Sequence, residues 1–549
     1  MSNLGPQHIN LSFGGLLQLP NGASGSLATV QDGAGNATAL QVSTTAVDFP
    51  IESPTGGASG MISDLATDAG SSFVGFEQAG TGAVTRSVQD KARETVSVTD
   101  FGVIGSGLDE TVAFQKALDT GAKKVEVPEN VTVGITSVSL AANQTLEING
   151  IVKKLSGSSP AITMNNLSKI IGCGQIDGNS VANADAIYAS AKSDLIVAGV
   201  YIHHVGGKGI SLASSTKYRI TNNRIENITG QAINLDFADS GSVANNYIDT
   251  ALHGVQFWGG DGSGGDPGTR TYDISITGNV VKNTTGGIWG SCGQRVAVTG
   301  NTVTICSDVG IDFECSNYCT ASGNTVSKCN NGGLSLFYAS TYCVFDGNTV
   351  LVDALTGNRY GIWYTAHANN YNIVSNNTIK VSTTGYPIYL DEGGQFNVVG
   401  NNSINGFGSV SSASCNVRLL RQKQMTFVNN SLIDSKLRVE GSIECLISGN
   451  RIYRSSATDA ASQSDSPLYI YWSDSTWNAQ GNTVINNSIQ EWSYPIVDDC
   501  WGDNYSINDC SYNRVSGTMY HRGTSGWQGR MLNNVTQANP NTAATVASY

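Results

Sequence analysis

Along most of this chain apolar and polar residues alternate in short β-branched runs, and a small unit ending in asparagine keeps returning. It reads ITNN to Asn223, VANN to Asn246, ITGN to Asn279, VTGN to Asn301, ASGN to Asn324, FDGN to Asn348, VSNN to Asn377, VVGN to Asn401, FVNN to Asn430, ISGN to Asn450 and AQGN to Asn482. Half of the ten intervals are 22–24 residues and four others are lengthened by insertions, which marks a solenoid rather than a globular core. Leucine-rich repeats share that length, but their LxxLxL pattern is absent. The predicted fold is therefore an all-β parallel β-helix running from about residue 95 to 515.

In every unit the residue before the asparagine is Gly or Asn, from Asn222 and Asn245 through Gly278, Gly300, Gly323 and Gly347 to Asn429, Gly449 and Gly481. Those two residues tolerate a left-handed backbone best, so each coil is expected to turn the same sharp corner there. The repeated asparagines can then stack and hydrogen-bond from coil to coil. An apolar residue such as Ile225, Val281 or Val326 follows two positions later and should enter the core.

About 13 residues before most of these asparagines lies a second strand: GISLA from Gly209, AINLD from Ala232, GVQFW from Gly254, GIWGS from Gly287, GIDFE from Gly310, GLSLF from Gly333, GIWYT from Gly361 and PIYLD from Pro387. Alternation sends the second and fourth residues inward, Ile311 and Phe313 among them. One outward column is then Ser211, Asn234, Gln256, Trp289, Asp312, Ser335, Trp363 and Tyr389. Its neighbour is Ala213, Asp236, Trp258, Ser291, Glu314, Phe337, Thr365 and Asp391. Outward aromatics at Trp258, Trp289, Phe337, Trp363 and Tyr389 suit the apolar faces of sugars, with Gln256 beside them. Covering loops or a second subunit would be the alternative use of such rings.

Asp312 and Glu314 lie mid-column, two residues apart on one face. Their carboxyls are expected ~5–9 Å apart, a range covering retaining and inverting glycosidases. Asp236 and Asp391 each stand three coils from Glu314, ~14 Å away, as candidates of second rank. The insertion from Gly259 to Asp273 adds Asp261, Asp266 and Arg270, because inserted loops on a solenoid tend to lie on its working face. His253 and His367 flank the column and read more readily as structural. No calcium loop, GxSxG, HExxH, phosphate loop or dinucleotide fingerprint occurs, so neither a metal nor another cofactor is expected.

Composition narrows this further. Of 549 residues only 13% are charged, 64 are Gly, and 30 basic against 43 acidic side chains leave a net charge of −13. An acidic balance argues against nucleic-acid binding. No apolar run reaches a membrane span, and MSNLGPQHINLSFGG lacks the features of a signal peptide, so a soluble chain made without a secretion signal is expected. Eleven cysteines include no zinc spacing; Cys306 with Cys329, and Cys319 with Cys343, occupy matching points of successive coils and read as reduced core residues. Before Arg86 there is no Lys, Arg or Cys. The domain reading is a head module at 1–86, a connector and cap at 87–128, the β-helix at 129–515 and a short tail at 516–549. Within the cap, Asp109 is the expected N-cap of a helix ETVAFQKALDT whose Phe114 and Leu118 share an apolar face.

VSVTDFGVIGSGLDETVAFQKALDTGAKKVEVP resembles the N-terminal cap of the pectate-lyase-like right-handed β-helix superfamily, and GAVTRSVQDKARETVSVTDFG resembles the junction that precedes the β-helix in tailspikes of tailed bacteriophages. The resemblance covers roughly residues 75–515. It implies a homotrimer held to phage tail or baseplate proteins by its N-terminal module, made in the host cytoplasm and located in the virion. Its β-helix would bind, and usually cleave, a bacterial surface polysaccharide with paired carboxylates. Only Asp312 and Glu314 match that arrangement well. The expected activity is endoglycosidase hydrolysis of capsule or O-antigen. A uronate lyase using Arg270, Arg295, Arg418 or Tyr389, a non-cleaving adhesin and a purely structural fibre are the alternatives.

Overall fold

The structure is a computed structural model describing residues 28–31, 34–42, 47–48, 67–353, 356–382, 385–406, 416–455, 466–471, 479–490, 494–499, 508–521, 531–532, 534–536 and 546–548. The chain divides into two compact units, 1–96 and 97–549. In the first, Ala28–Gln31, Ala37–Val42 and Val47–Asp48 form an antiparallel sheet. Gly75–Phe76 and Arg86–Ser87 pair as a hairpin, followed by a short helix, Val88–Ala92. Ser87 caps that helix by accepting the Asp90 N–H at 3.0 Å.

The second unit is a parallel β-solenoid of about 15 turns. Each regular coil contributes three strands. In one coil these are Val309–Glu314, Thr320–Ser322 and Thr325–Cys329, each pairing in parallel with its counterpart in the next coil. The helix that closes the start spans Thr111–Asp119, shorter than expected at its N-terminal end, with Glu110 in the cap position. Asp109 still accepts the Thr111 N–H at 3.0 Å, and Phe114 and Leu118 are buried. Parallel pairing continues beyond residue 515: Met519–His521 pairs with Val546–Ser548.

The expected corner is present. Asn222, Asn245, Gly278, Gly300, Gly323, Gly347, Asn376, Asn429 and Gly449 all have φ between 55° and 68°. Each following asparagine is buried and donates its amide to the next: Asn301 Nδ2 reaches Asn324 Oδ1 at 3.0 Å, and Asn324 reaches Asn348 at 2.9 Å. The same Oδ1 accepts the neighbour's backbone N–H, as Asn324 does for Asn301 at 2.8 Å. A buried amide with all its partners costs little, whereas an orphaned one is expensive. Two positions differ from the sequence reading. The ladder passes through Asn402 rather than Asn401, which itself takes the left-handed turn (φ 58°). It then runs from Asn450 to Asn487. Asn482 instead belongs to a second corner and bonds Asn508. Insertions moved the register, and a motif of two residues could not track it.

Inward positions are filled as alternation requires: Val255, Phe257, Ile311, Phe313, Leu334 and Leu336 are all fully buried. Cys306 lies beside Cys329 in register, and the nine described cysteines are free thiols, eight of them buried. Among the described residues no helix is long and apolar enough to cross a membrane.

Candidate functional site

Parallel register builds the site. Trp289, Asp312, Ser335, Trp363 and Tyr389 stand in one outward column, and Ser291, Glu314, Phe337 and Thr365 in the next. The columns point away from the core, yet most of their polar members are covered: Ser211, Asn234, Gln256, Asp312 and Ser335 are buried, and the Trp and Tyr rings only partly exposed. Tall neighbours close over short ones, so an outward-facing residue here is not a solvated one.

Asp312 and Glu314 lie on one strand, Val309–Glu314, and act on each other electrostatically. Each carboxyl perturbs the titration of the other. Asp312 is 2% exposed, and its Oδ1 has no hydrogen-bond partner. Burial, the Glu314 charge and the Asp308 charge together push its carboxyl well above the usual range. Burial pushes Glu314 up to about 7, although the nearby Trp289 and Asp312 side chains pull it down. Two carboxyls in one water-poor niche cannot both ionise, so the pair retains a proton at neutral pH.

The insertion reaches this niche. Gly262 N–H donates to Ser291 Oγ at 3.4 Å, and the Asp261 charge adds to the field on Glu314. Arg270 is turned the other way. It pairs with Asp266 at 2.6 Å and approaches the Cys315 sulfur at 3.8 Å, on a side chain only 8% exposed. Asp236 lies in register with Trp258, and Asp391 accepts the Tyr389 hydroxyl at 3.4 Å; neither meets the carboxyl pair. His253 does come close. Its ring lies 4.9 Å from Trp289, Nδ1 bonds Gln256 Oε1 at 2.9 Å, and burial lowers its pKa. His367 packs only near Tyr338, at 6.2 Å.

The rings make an uneven track. Trp258 and Trp289 stack at 5.5 Å and 19°, whereas Phe337 meets Trp363 edge-on at 89° and Tyr360 lies 4.6 Å from Trp363. Sequence reading missed Asp308, which sits on a bend and accepts from Asn331 Nδ2 at 2.6 Å. It also stopped the column too early. Arg418, Arg438 and Tyr469 continue the Tyr389 column through the strands NVRLL, KLRVE and LYIY. Arg418 donates to Tyr389 Oη at 3.2 Å and to Glu440 at 2.7 Å, and Tyr471 donates to the same carboxylate at 2.6 Å. The alternation in those strands was the available signal; irregular spacing between them hid it.

Residues 130–266 match the family model described as right handed beta helix region. Residues 268–414 match the one described as periplasmic copper-binding protein (NosD). Within that second span no three His, Cys, Asp or Glu side chains gather ligand atoms among the described residues. Among solved structures, the chain is similar to tailspike protein 3 of bacteriophage CBA120, at 14% identity and a TM-score of 0.44, covering 85% of this chain and 73% of that one. It is similar to the tailspike of the E. coli bacteriophage HK620 in complex with a hexasaccharide (14% identity, TM-score 0.38, 88% and 85% covered). The surface adhesin PfbA of Streptococcus pneumoniae also matches (14%, TM-score 0.36, 66% and 92% covered). No curated protein matches.

Proposed function

We propose that this chain is a phage tailspike that binds a bacterial surface polysaccharide, capsule or O-antigen, and cleaves it by glycosidic hydrolysis at Asp312 and Glu314. The observation that carries this reading is the coupled carboxyl pair, buried among outward-facing rings, with Glu314 titrating near neutrality. A general acid works best when its pKa lies near the working pH. Glu314, the more exposed of the two, protonates the glycosidic oxygen as the bond to the anomeric carbon breaks. Water adds at that carbon, and its released proton returns to the pair. Trp258, Trp289, Phe337, Trp363 and Tyr389 hold the sugar rings, and Gln256 supplies a polar contact.

In this reading residues 1–86 attach the spike to the phage tail, three chains assemble around the coil stack, and the protein resides in the virion. Incubation with a panel of bacterial surface polysaccharides, followed by size analysis and reducing-end assay, tests the chemistry. Shortened polymer with new reducing ends supports hydrolysis. Binding without shortening would make it an adhesin. The Arg418–Tyr389 contact supports a second reading, a lyase acting on uronates. Its products would absorb near the ultraviolet band of an unsaturated uronate, and Glu314→Gln would leave that activity in place.

A further inference from the structure

On a different face of the coils, Asp177, His203 and His204 bring one ligand atom each to within 4.8 Å of one another. Asp177 ends the strand Gln175–Asp177, and His203 and His204 lie in Tyr201–Val205 of the next coil, with Asp177 and His203 in direct register. His204 would point away but for the backbone, which turns left-handed there (φ 51°). The same bend recurs at Asn227, Thr250, Asn283, Ile305 and Lys328 (φ 54–62°), so coil geometry places this side chain. The two Nδ1 atoms stand 2.7 Å apart, and His203 Nδ1 is 3.7 Å from Asp177 Oδ1.

The protonation pattern suits a ligand set. Gln175 Oε1 lies 3.1 Å from His203 Nε2, and a carbonyl oxygen can only accept. The His203 proton therefore sits on Nε2, leaving Nδ1 as a bare lone pair aimed at His204 and Asp177. Metal-binding imidazoles are typically oriented by such a contact on the other ring nitrogen. Glu226, on the far side of His203, is already engaged by Arg224 at 2.8 Å and by the Tyr201 hydroxyl at 2.9 Å, so it does not compete. Two ligand atoms ~2.1 Å from a tetrahedral ion are themselves ~3.4 Å apart. The 2.7 and 3.7 Å separations bracket that value, and small side-chain rotations reach it.

We infer that Asp177, His203 and His204 form a binding site for a first-row divalent cation such as Zn2+, clipping two consecutive coils together and leaving the remaining coordination to water. Two imidazoles and a single carboxylate suit such an ion better than Ca2+ or Mg2+, which need more oxygen ligands. The bland alternative is a His–His hydrogen bond with no ion.

Calorimetric titration of the full chain with Zn2+ alone tests this, in a Cys173→Ser background because that thiol is exposed. One Zn2+ per chain is expected. His204→Gly, which suits the left-handed turn, and Asp177→Asn should each weaken binding at least tenfold; Gln175→Ala should cost about 10–100-fold through loss of His203 orientation. Co2+ should give a visible spectrum without a thiolate charge-transfer band. Absence of binding, or unchanged affinity in His204→Gly and Asp177→Asn, would overturn the assignment.

Discussion

Two rows of aromatic rings run along this solenoid, and they do different things. Tyr318, Tyr342, Tyr371 and Phe396 stack at 4.9–5.0 Å with interplanar angles of only 6–11°. They are 41–53% exposed, more than the rings beside Asp312. All four sit at a left-handed corner, φ 55–57°, where a bulky side chain is strained. Each ring covers the face of the next, so stacking offsets backbone strain and leaves mostly edges to solvent. The column through Trp289 and Trp363 sits on relaxed strand backbone, with angles from 19° to 89°. Its rings meet at varied angles and stand beside the Asp312–Glu314 carboxyl pair. Exposure alone would favour the corner row; ring orientation and the company each ring keeps distinguish the two.

The comparison can be broken in four places. The largest effect belongs to the carboxyl pair: Glu314→Gln should lower depolymerisation by about 10²–10⁴-fold while binding persists, and Tyr342→Ala should leave turnover unchanged. Equal losses in both variants, measured by reducing ends, would erase the distinction. Next is the pH dependence of stability. The folded pKa of Glu314, about 7, lies above its unfolded value of 4.5, so its contribution is intact below pH 4.5 and lost as pH rises toward 7. At about 1.4 kcal/mol per unit the loss is about 3 kcal/mol. Denaturant unfolding across that range should show a smaller loss in Glu314→Gln than in the wild type, the remainder coming from buried Asp312.

A smaller effect is expected for Trp289→Ala, where truncating an aromatic anchor should cost about 2 kcal/mol, or about 30-fold in sugar affinity. Fluorescence titration with oligosaccharide checks it, and the Tyr371→Ala variant serves as the unaffected control. The smallest concerns the corner row. A double-mutant cycle between Tyr318 and Tyr342 should return about 1 kcal/mol of coupling in stability and none in sugar binding. Coupling in binding would show that the corner row also touches substrate.

The asparagine unit made the coil legible because one residue type meets a fixed need at every corner: a buried amide that satisfies its neighbour's backbone as well as its own. Where a loop intervened, at Asn401 and Asn482, the motif alone misplaced the ladder. The site was partly legible. Period-two alternation placed Asp312 and Glu314 on one face, and that placement holds. It carried no information about Asp308, which lies on a bend, and irregular intervals between strands kept it from extending the column to Arg418 and Glu440.

Sequence by itself determined the coil, its corners, its core and the identity of the outward columns, because these depend on local periodicity repeated many times. Only the tertiary structure decided that Asp312 is buried while Glu314 stays partly exposed, and that Arg270 pairs with Asp266. Those depend on contacts between coils and on the path of one inserted loop. The charge state of the pair follows from that burial, so it was set by packing between residues that periodicity could only align.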